Sequence, residues 1–212
     1  MQGLVAKAYR VGEKVSWDCE VIIIENGSSI DTLKILLQLE KKYPKLRVIR
    51  FLTPLGYGGA LREGFARATR DWVFYTDGDG QYDPLELTKL VRICTDRVDV
   101  VNGYKTKRAD RWYRAVMGNA YNWFLQKRYH PPIRDVDCDF RLIRRSLLSH
   151  IVLETSSALA CLELVLKLQK AGARFAEVGV SHYPRVYGRS EFFRMRHMRD
   201  TIRDHWNFTF PT

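Results

Sequence analysis

The feature that most constrains the fold of this chain is the alternation of short apolar runs with helical patterns through its first half. Four runs are typical of strands, at residues 21–24, 46–52, 72–76 and 99–102. Helical spacing of apolar residues, or a proline at the first turn, marks the segments between them, at residues 31–42, 60–68 and 84–95. Strands that alternate with helices indicate an α/β fold in which a mostly parallel sheet lies between layers of helices.

The second half of the chain is less regular, and we predict that it completes the same domain. Two helical patterns and one strand pattern follow, at residues 111–129, 156–171 and 175–182. Arginine alternates with Phe, Met and Trp over residues 191–206, which predicts a basic amphipathic helix. We therefore predict one domain over residues 1–212, with a helix in residues 1–19 and a basic tail at 191–212.

Composition limits the class of protein. With 212 residues and 46% hydrophobic side chains, the chain can bury a proper core and is not a disordered protein. The four cysteines are scattered, so we predict reduced thiols rather than disulfides or a metal site. No apolar run approaches the ~20 residues that cross a bilayer, and no signal peptide is visible. These features predict a cytoplasmic protein.

The net charge of +11 is concentrated in the second half of the chain. Basic residues crowd into three segments, at residues 105–114, 141–145 and 185–203. Such a charge attracts nucleic acid, an anionic membrane surface or phosphorylated substrates. Because the usual nucleic-acid recognition motifs are absent, we predict a phosphate-bearing substrate and peripheral contact with the cytoplasmic face of a membrane.

Two carboxylates, Asp77 and Asp79, follow directly after the apolar run at residues 72–76. In an extended segment, residues i and i+2 point to the same side, so these carboxylates can converge. Converging carboxylates repel each other unless a cation lies between them. Mg²⁺ and Mn²⁺ suit such oxygen ligands and leave coordination positions for phosphates. The pattern predicts a metal-held diphosphate; the alternative is a polar Asp-Gly turn.

Four motifs in a fixed order resemble a known family. They are Gly-Tyr-Gly-Gly-Ala-Leu-Arg-Glu-Gly-Phe at 56–65, Asp-Gly-Asp-Gly-Gln-Tyr-Asp-Pro at 77–84, Asp-Val-Asp-Cys-Asp-Phe-Arg at 135–141 and Arg-Val-Tyr-Gly-Arg-Ser at 185–190. Together they resemble the family 2 inverting glycosyltransferases, nearest to the branch of dolichol-phosphate mannose synthase and polyprenyl-phosphate sugar transferases. The resemblance covers about residues 20–195. It implies a GT-A fold, a divalent metal and a UDP- or GDP-linked sugar donor.

The resemblance also implies roles for individual residues. The metal ligands would be Asp77, Asp79 and Gln81. The donor-binding residues would be Glu25, Asn26, Gly58, Arg62, Asp77 and Ser190. The catalytic residues would be Asp135, beside the acceptor, and Arg185, in a loop that grips a phosphate. Glu25 stands where the family usually has an aspartate, and Asn26 replaces a second acidic residue.

The chemistry of sugar transfer agrees with these roles. Because the leaving group is a diphosphate, the barrier lies in developing negative charge, which a metal and arginines stabilise. A lipid phosphate acceptor is already ionised, whereas a hydroxyl acceptor needs a base, for which Asp135 is the candidate. The alternatives are a structural hydrogen-bonding carboxylate for Asp135 and a surface salt bridge for Arg185.

The sequence departs from the family pattern at two places. The family opens with a strand ending in a Pro-x-Tyr-Asn-Glu type motif, and nothing before residues 21–24 matches it. We interpret the chain as an N-terminally shortened form, whose sheet would keep unpaired backbone groups. Asp139 stands where this branch more often has glycine, and it adds a charge near the acceptor loop.

The sequence therefore predicts metal-dependent transfer of a sugar from a nucleotide-sugar to a polyprenyl phosphate, with inversion. Two alternatives stay open: a saccharide or protein hydroxyl as acceptor, and a non-catalytic protein that binds nucleotide-sugars or acts as a scaffold. A basic nucleic-acid-binding protein ranks last.

Overall fold

The computed structural model describes residues 1–106 and 112–185, with all their side chains except those of 112–115. The helices are α1 (Gln2–Val15), α2 (Ile30–Lys42), α3 (Gly56–Arg67), α4 (Leu87–Ile93), α5 (Trp112–Tyr129), α6 (Arg145–Leu148) and α7 (Ala160–Lys170). The strands are β1 (Val21–Asn26), β2 (Leu46–Phe51), β3 (Trp72–Thr76), β4 (Val100–Lys105), β5 (Phe140–Arg144) and β6 (Phe175–Val180). A 3₁₀ turn, Pro84–Glu86, precedes α4.

The strands form two sheets. Strands β1 and β2 pair in parallel, and a second sheet has the order β3-β5-β4-β6. In the second sheet β5 is antiparallel to both of its neighbours, whereas β4 and β6 are parallel. The predicted α/β class is confirmed, but the sheet is mixed because of β5. The sequence pattern did not predict this strand, since two arginines interrupt its apolar residues.

Helices cover both faces of the four-stranded sheet. On one face, α1 and α4 pack in a cluster with residues of the sheet, including Val11, Leu90, Val101, Phe140 and Leu142. On the other face, α3, α6 and α7 contribute to a cluster that includes Leu61, Val100, Ile143, Leu148 and Leu164. These layers bury both faces of the sheet, as in three-layer α/β domains.

The glycine-rich segment at residues 56–59 forms the first turn of α3, which therefore begins four residues before the helical pattern at 60–68. Gly56 has a φ of +74°, which favours glycine. A Cβ at Gly58 would overlap the carbonyl oxygen of Thr155, so only glycine allows this approach of two backbones. Its N–H donates to the carbonyl of Ser156 at 3.2 Å. The glycines therefore dock α3 against the segment that precedes α7.

Several further predictions concern the membrane, the cysteines and the tail. Within the described ranges, no helix combines the length and hydropathy needed to cross a bilayer. The four cysteines are free thiols, as predicted. Ser190 and the predicted helix at 191–206 lie outside the described residues.

Candidate active site

Strand pairing brings three carboxylates together at one edge of the four-stranded sheet. Asp77 follows β3 and Asp139 precedes β5, and the antiparallel register pairs Thr76 with Phe140 between them. Burial, followed by the charges of Asp139 and Asp79, raises the pKa of Asp77 well above its ordinary value. Burial also raises the pKa of Asp139. The folded protein therefore disfavours the ionised form of both carboxylates.

Oγ1 of Thr76, beside this cluster, is buried without a hydrogen-bond partner among the described residues. The Tyr57 hydroxyl lies against Asp139 and, by hydrogen bonding, favours the ionised form of that carboxylate. Burial, followed by the charge of Asp139, raises the pKa of Tyr57. The Cys161 thiol donates to Oδ1 of Asp139 at 3.1 Å. A buried polar atom without a partner is rare in folded proteins, and a bound ion is one of the features that account for it.

The turn after β3 is joined to the segment that follows β6. The Arg185 guanidinium lies 2.8 Å from Oδ2 of Asp79 and donates to Oε1 of Gln81 at 3.1 Å. Gln81 Nε2 lies 3.1 Å from Nε2 of His182, and the Tyr183 N–H donates to the Gln81 carbonyl at 2.8 Å. Three predicted site residues, Asp79, Gln81 and Arg185, therefore meet in one place.

The chemistry of this cluster fits a divalent cation. Asp77, Asp79 and Gln81 supply oxygen atoms, and the guanidinium of Arg185 already lies on two of these side chains. Among the described residues, no three His, Cys, Asp or Glu side chains are arranged to hold a metal by themselves. Mg²⁺ does not require such a group, because it binds through one or two carboxylates together with water and substrate phosphates.

Arg141, which was not predicted as a site residue, is fully buried beneath the carboxylates. Its guanidinium donates to Oδ1 of Asn102 at 2.6 Å, to the Tyr75 hydroxyl at 2.8 Å and to the Val136 carbonyl at 3.2 Å. The charge of Arg141 favours the ionised form of Asp139. An arginine inside an apolar strand is the sequence signal that identifies such a residue, since a buried charge needs partners.

Asp135 makes the contacts expected of a structural carboxylate. It is buried, and it accepts hydrogen bonds from the backbone N–H of Lys105 at 3.2 Å and from Nζ of Lys105 at 3.3 Å. Lys105 Nζ also donates to the Asp137 carbonyl at 2.8 Å. These contacts favour the structural alternative, and a role for Asp135 as a base stays a prediction.

The predicted donor-binding residues at the end of β1 are engaged with the protein itself. Glu25 accepts the Ser28 N–H at 2.5 Å and lies 3.6 Å from the Arg50 guanidinium. The amide of Asn26 accepts the Leu55 N–H at 2.7 Å and donates to the Gly56 carbonyl at 3.0 Å. These side chains shape the turn and hold the start of α3, and contact with a nucleotide stays a prediction.

Two other predicted donor-binding residues lie on α3. Gly58 packs against Thr155, and Arg62 Nη1 donates to the Leu153 carbonyl at 2.6 Å. Contact of either residue with a donor stays a prediction. Two shallow surface depressions, one between α1 and α2 and one beside α7, contain none of the carboxylates that follow β3. The site is therefore assigned from its chemistry.

Three solved structures have a fold similar to that of this chain. A mannosyltransferase from Pyrobaculum calidifontis in complex with GDP-Man and Mn²⁺ is 17% identical in sequence, with a TM-score of 0.65. The match covers 98% of the present chain and 60% of the mannosyltransferase. Glucosyl-3-phosphoglycerate synthase from Mycobacterium tuberculosis, in complex with Mn²⁺, UDP and glucosyl-3-phosphoglycerate, is 17% identical, with a TM-score of 0.63, and the match covers 89% of the present chain and 68% of the synthase. A mycobacterial protein is 18% identical, with a TM-score of 0.64, and the match covers 90% of the present chain and 65% of the mycobacterial protein.

The present chain thus spans 60 to 68% of the length of these three proteins. At such low identities the likeness establishes the fold, and it confirms the predicted GT-A architecture. The family model described as glycosyl transferase family 2 matches residues 16–152, which include β3, its carboxylates and the whole of β5. Since this match covers well over half of the chain, the protein belongs to glycosyl transferase family 2.

Proposed function

We propose that this protein transfers a sugar from a UDP- or GDP-linked donor to a polyprenyl phosphate, with inversion, in the manner of the dolichol-phosphate mannose synthase branch. The observation that carries the proposal is the cluster at the end of β3, where Asp77, Asp79 and Asp139 converge beside Oγ1 of Thr76, a buried atom with no partner among the described residues. Structures of similar fold hold Mn²⁺ with GDP-Man or with UDP.

In this proposal Asp77, Asp79 and Gln81 hold Mg²⁺ or Mn²⁺, which neutralises the diphosphate leaving group when it is bound. Arg185 lies against two of these side chains, so its guanidinium is close to where the diphosphate would lie. A fixed cation at that position stabilises the negative charge that develops as the sugar leaves. Nothing in this step requires a proton transfer by the protein.

The contacts of Asp135 support a phosphate acceptor over a hydroxyl acceptor. A hydroxyl acceptor needs a base with a free carboxylate, but the Asp135 carboxylate accepts two hydrogen bonds from Lys105. A phosphate acceptor is already ionised and needs attraction rather than deprotonation. Lys105 and Arg185 both favour the ionised form of Asp77, so both cations act on this site. We place the protein at the cytoplasmic face of a membrane, where such an acceptor would be presented.

The donor half of the proposal is tested by calorimetric titration with UDP-sugars and GDP-sugars, first with Mn²⁺ and then with EDTA. We expect binding of one nucleotide class that depends on the metal. Binding that persists in EDTA would contradict the assignment of the carboxylates, and the absence of binding from a folded sample would favour the scaffold alternative.

The acceptor half is tested with a matched pair of water-soluble acceptors, a short-chain polyprenyl phosphate and the corresponding polyprenol. The two differ only in the phosphate. We expect transfer to the phosphate alone, because Lys105 holds the carboxylate of Asp135, the candidate base for a hydroxyl acceptor. Transfer to the alcohol, or to a saccharide hydroxyl, would show that the acceptor is a hydroxyl group instead.

A further inference from the structure

Helix α5 is apolar on two opposite faces, of which one packs in the core and the other is exposed. Leu125 and Tyr129 are buried in a cluster with residues of α7. On the outer side, Val116, Met117 and Trp123 are 59%, 48% and 64% exposed. Because the inner side of α5 already packs in the core, a second apolar side that faces solvent needs an explanation.

The exposed apolar residues form one continuous stripe. Val116, Ala120 and Trp123 are separated by four and three residues, which places them on the same side of the helix. Met117 lies beside them and is also exposed. We call Val116, Met117, Ala120 and Trp123 the outer face of α5. Contiguous exposed apolar residues of this kind mark an interaction surface.

The charges around the outer face identify its partner. The 18 residues of α5 include no Asp or Glu, and the last turn carries the exposed residues Lys127 and Arg128. An apolar stripe with Trp, flanked by cations and free of acidic residues, matches an anionic bilayer surface. The apolar side chains enter the headgroup boundary, while the cations contact lipid phosphates. No described helix can cross a bilayer, so α5 would lie on the surface.

The inner side of α5 connects this surface to the proposed active site. Asn122 donates to the Arg134 carbonyl and accepts the Val136 N–H, and Gln126 donates to the Ile133 carbonyl. These bonds hold the segment that continues into Asp139. The buried cluster on this side of α5 also includes Cys161, whose thiol donates to Asp139, and Tyr57 packs against it. The inner side of α5 and the carboxylate cluster are therefore joined by continuous packing and hydrogen bonds.

We propose that the outer face of α5 binds the anionic surface of a bilayer and so presents the carboxylate site to lipid headgroups. This surface is distinct from the basic segment at 191–206, which lies outside the described residues. Only the identity of the acceptor depends on the proposed function. Binding of the outer face to lipid does not, because it requires no sugar transfer.

The test is co-sedimentation of the full chain with phosphatidylcholine vesicles, with and without about one third phosphatidylglycerol. These vesicles contain no polyprenyl phosphate, so the readout is independent of the enzymatic reaction. Trp123→Glu removes the largest exposed side chain of the outer face and is expected to lower the partition coefficient by about tenfold or more. The matched control is Trp17→Glu, because Trp17 is 86% exposed and lies outside α5. It is expected to bind as the unaltered chain does.

Equal binding of the unaltered chain and Trp123→Glu would overturn the proposal. Equal binding of the unaltered chain to vesicles with and without phosphatidylglycerol would also overturn it. Self-association of the unaltered chain in sedimentation velocity, abolished by Trp123→Glu, would instead assign the outer face to a second copy. A failed transfer assay, with vesicle binding intact and sensitive to Trp123→Glu, would contradict the proposed acceptor while supporting this surface. For transfer, Trp123→Glu is expected to keep activity on a soluble acceptor and to lose it on an acceptor in vesicles.

Discussion

At the two opposite edges of the four-stranded sheet, the pKa values of the carboxylates are shifted in opposite directions. At the edge where β4 begins, Asp99 lies 2.8 Å from the Arg174 guanidinium and 3.3 Å from that of Arg144. Hydrogen bonding from Arg174 lowers the pKa of Asp99 to about 2. At the edge where β3 ends, burial and then the charge of Asp139 raise the pKa of Asp77.

This difference separates carboxylates that serve the fold from carboxylates that serve a ligand. A carboxylate with a lowered pKa is stabilised by the folded protein, and its ionised form contributes to the free energy of unfolding. A carboxylate with a raised pKa costs folding free energy when it is ionised. Such a group points to a site where an external cation supplies the missing charge. The edge at Asp99 is complete without a ligand, and the edge at Asp77 is not.

The largest expected effect is on activity, in the variant Asp79→Asn. It removes one carboxylate from the proposed metal site, and we expect metal-dependent donor binding to be lost and kcat/KM to fall by about 10³-fold. The free energy of unfolding should change by no more than about 1 kcal/mol, because the Arg185 ion pair is partly exposed. Calorimetric titration with Mn²⁺, initial rates and urea unfolding measure the three quantities.

The matched control for this prediction is Asp99→Asn, at the opposite edge of the same sheet. It makes the same chemical change in a carboxylate that is bound by arginines, so kcat/KM should stay within about twofold of the unaltered value. If kcat/KM fell by a similar factor in Asp79→Asn and Asp99→Asn, carboxylates at both edges of the sheet would be needed for activity. That result would contradict the assignment of the site to the edge at Asp77 alone.

The second effect compares two arginines on β5. Arg141→Met should lower the free energy of unfolding by about 3 kcal/mol, because it leaves the partners of a fully buried guanidinium without hydrogen bonds. Arg144→Met, three residues along, should cost about 1 kcal/mol or less, since its ion pair with Asp99 is partly exposed. Urea unfolding of both variants measures the difference. Equal costs would mean that the two guanidinium groups contribute alike to the fold.

The third effect is a gain in stability from Asp77→Asn. Burial and the charges of Asp139 and Asp79 disfavour the ionised form of Asp77, so removing its titratable carboxyl should raise the free energy of unfolding at pH 7 by roughly 0.5–2 kcal/mol. Donor binding should be lost in the same variant. Thermal or urea unfolding checks the sign, which should be opposite to that of Asp99→Asn. A loss of stability in both variants would show that Asp77 also serves the fold.

Local patterns explain what could be predicted from the sequence. The strands that end at Asn26, Phe51 and Thr76 are short apolar runs with a turn after each, and both features lie within a few residues. The pair Asp77 and Asp79 is likewise defined by a spacing of two in an extended segment. The presence of carboxylates at the end of β3 was therefore predictable from the sequence.

Contacts between distant residues explain what could not be predicted. The proximity of Asp139 to Asp77 depends on the register that pairs Thr76 with Phe140, more than 60 residues away along the chain. The pairing of Asp135 with Lys105 spans 30 residues. The close contact between Gly58 of α3 and Thr155 is also non-local. Sequence patterns identify such residues, but only the fold shows which of them meet.

The smallest expected effect is the pH dependence of stability that comes from Asp99. Its pKa falls from 3.8 to about 2 on folding, so its ionised form stabilises the protein above pH 4, and this contribution is lost as the pH falls from 4 towards 2. Because the side chain of Arg174 is half exposed, water weakens the pair, and we expect Asp99→Asn to cost about 1 kcal/mol at pH 7. Urea unfolding at pH 7 and pH 3 should show this cost narrowing at the lower pH. If Asp99→Asn lowered the free energy of unfolding equally at pH 7 and pH 3, Asp99 would stabilise the fold through its packing and hydrogen bonds rather than its charge. The difference between the two edges of the sheet would then depend on Asp77 alone.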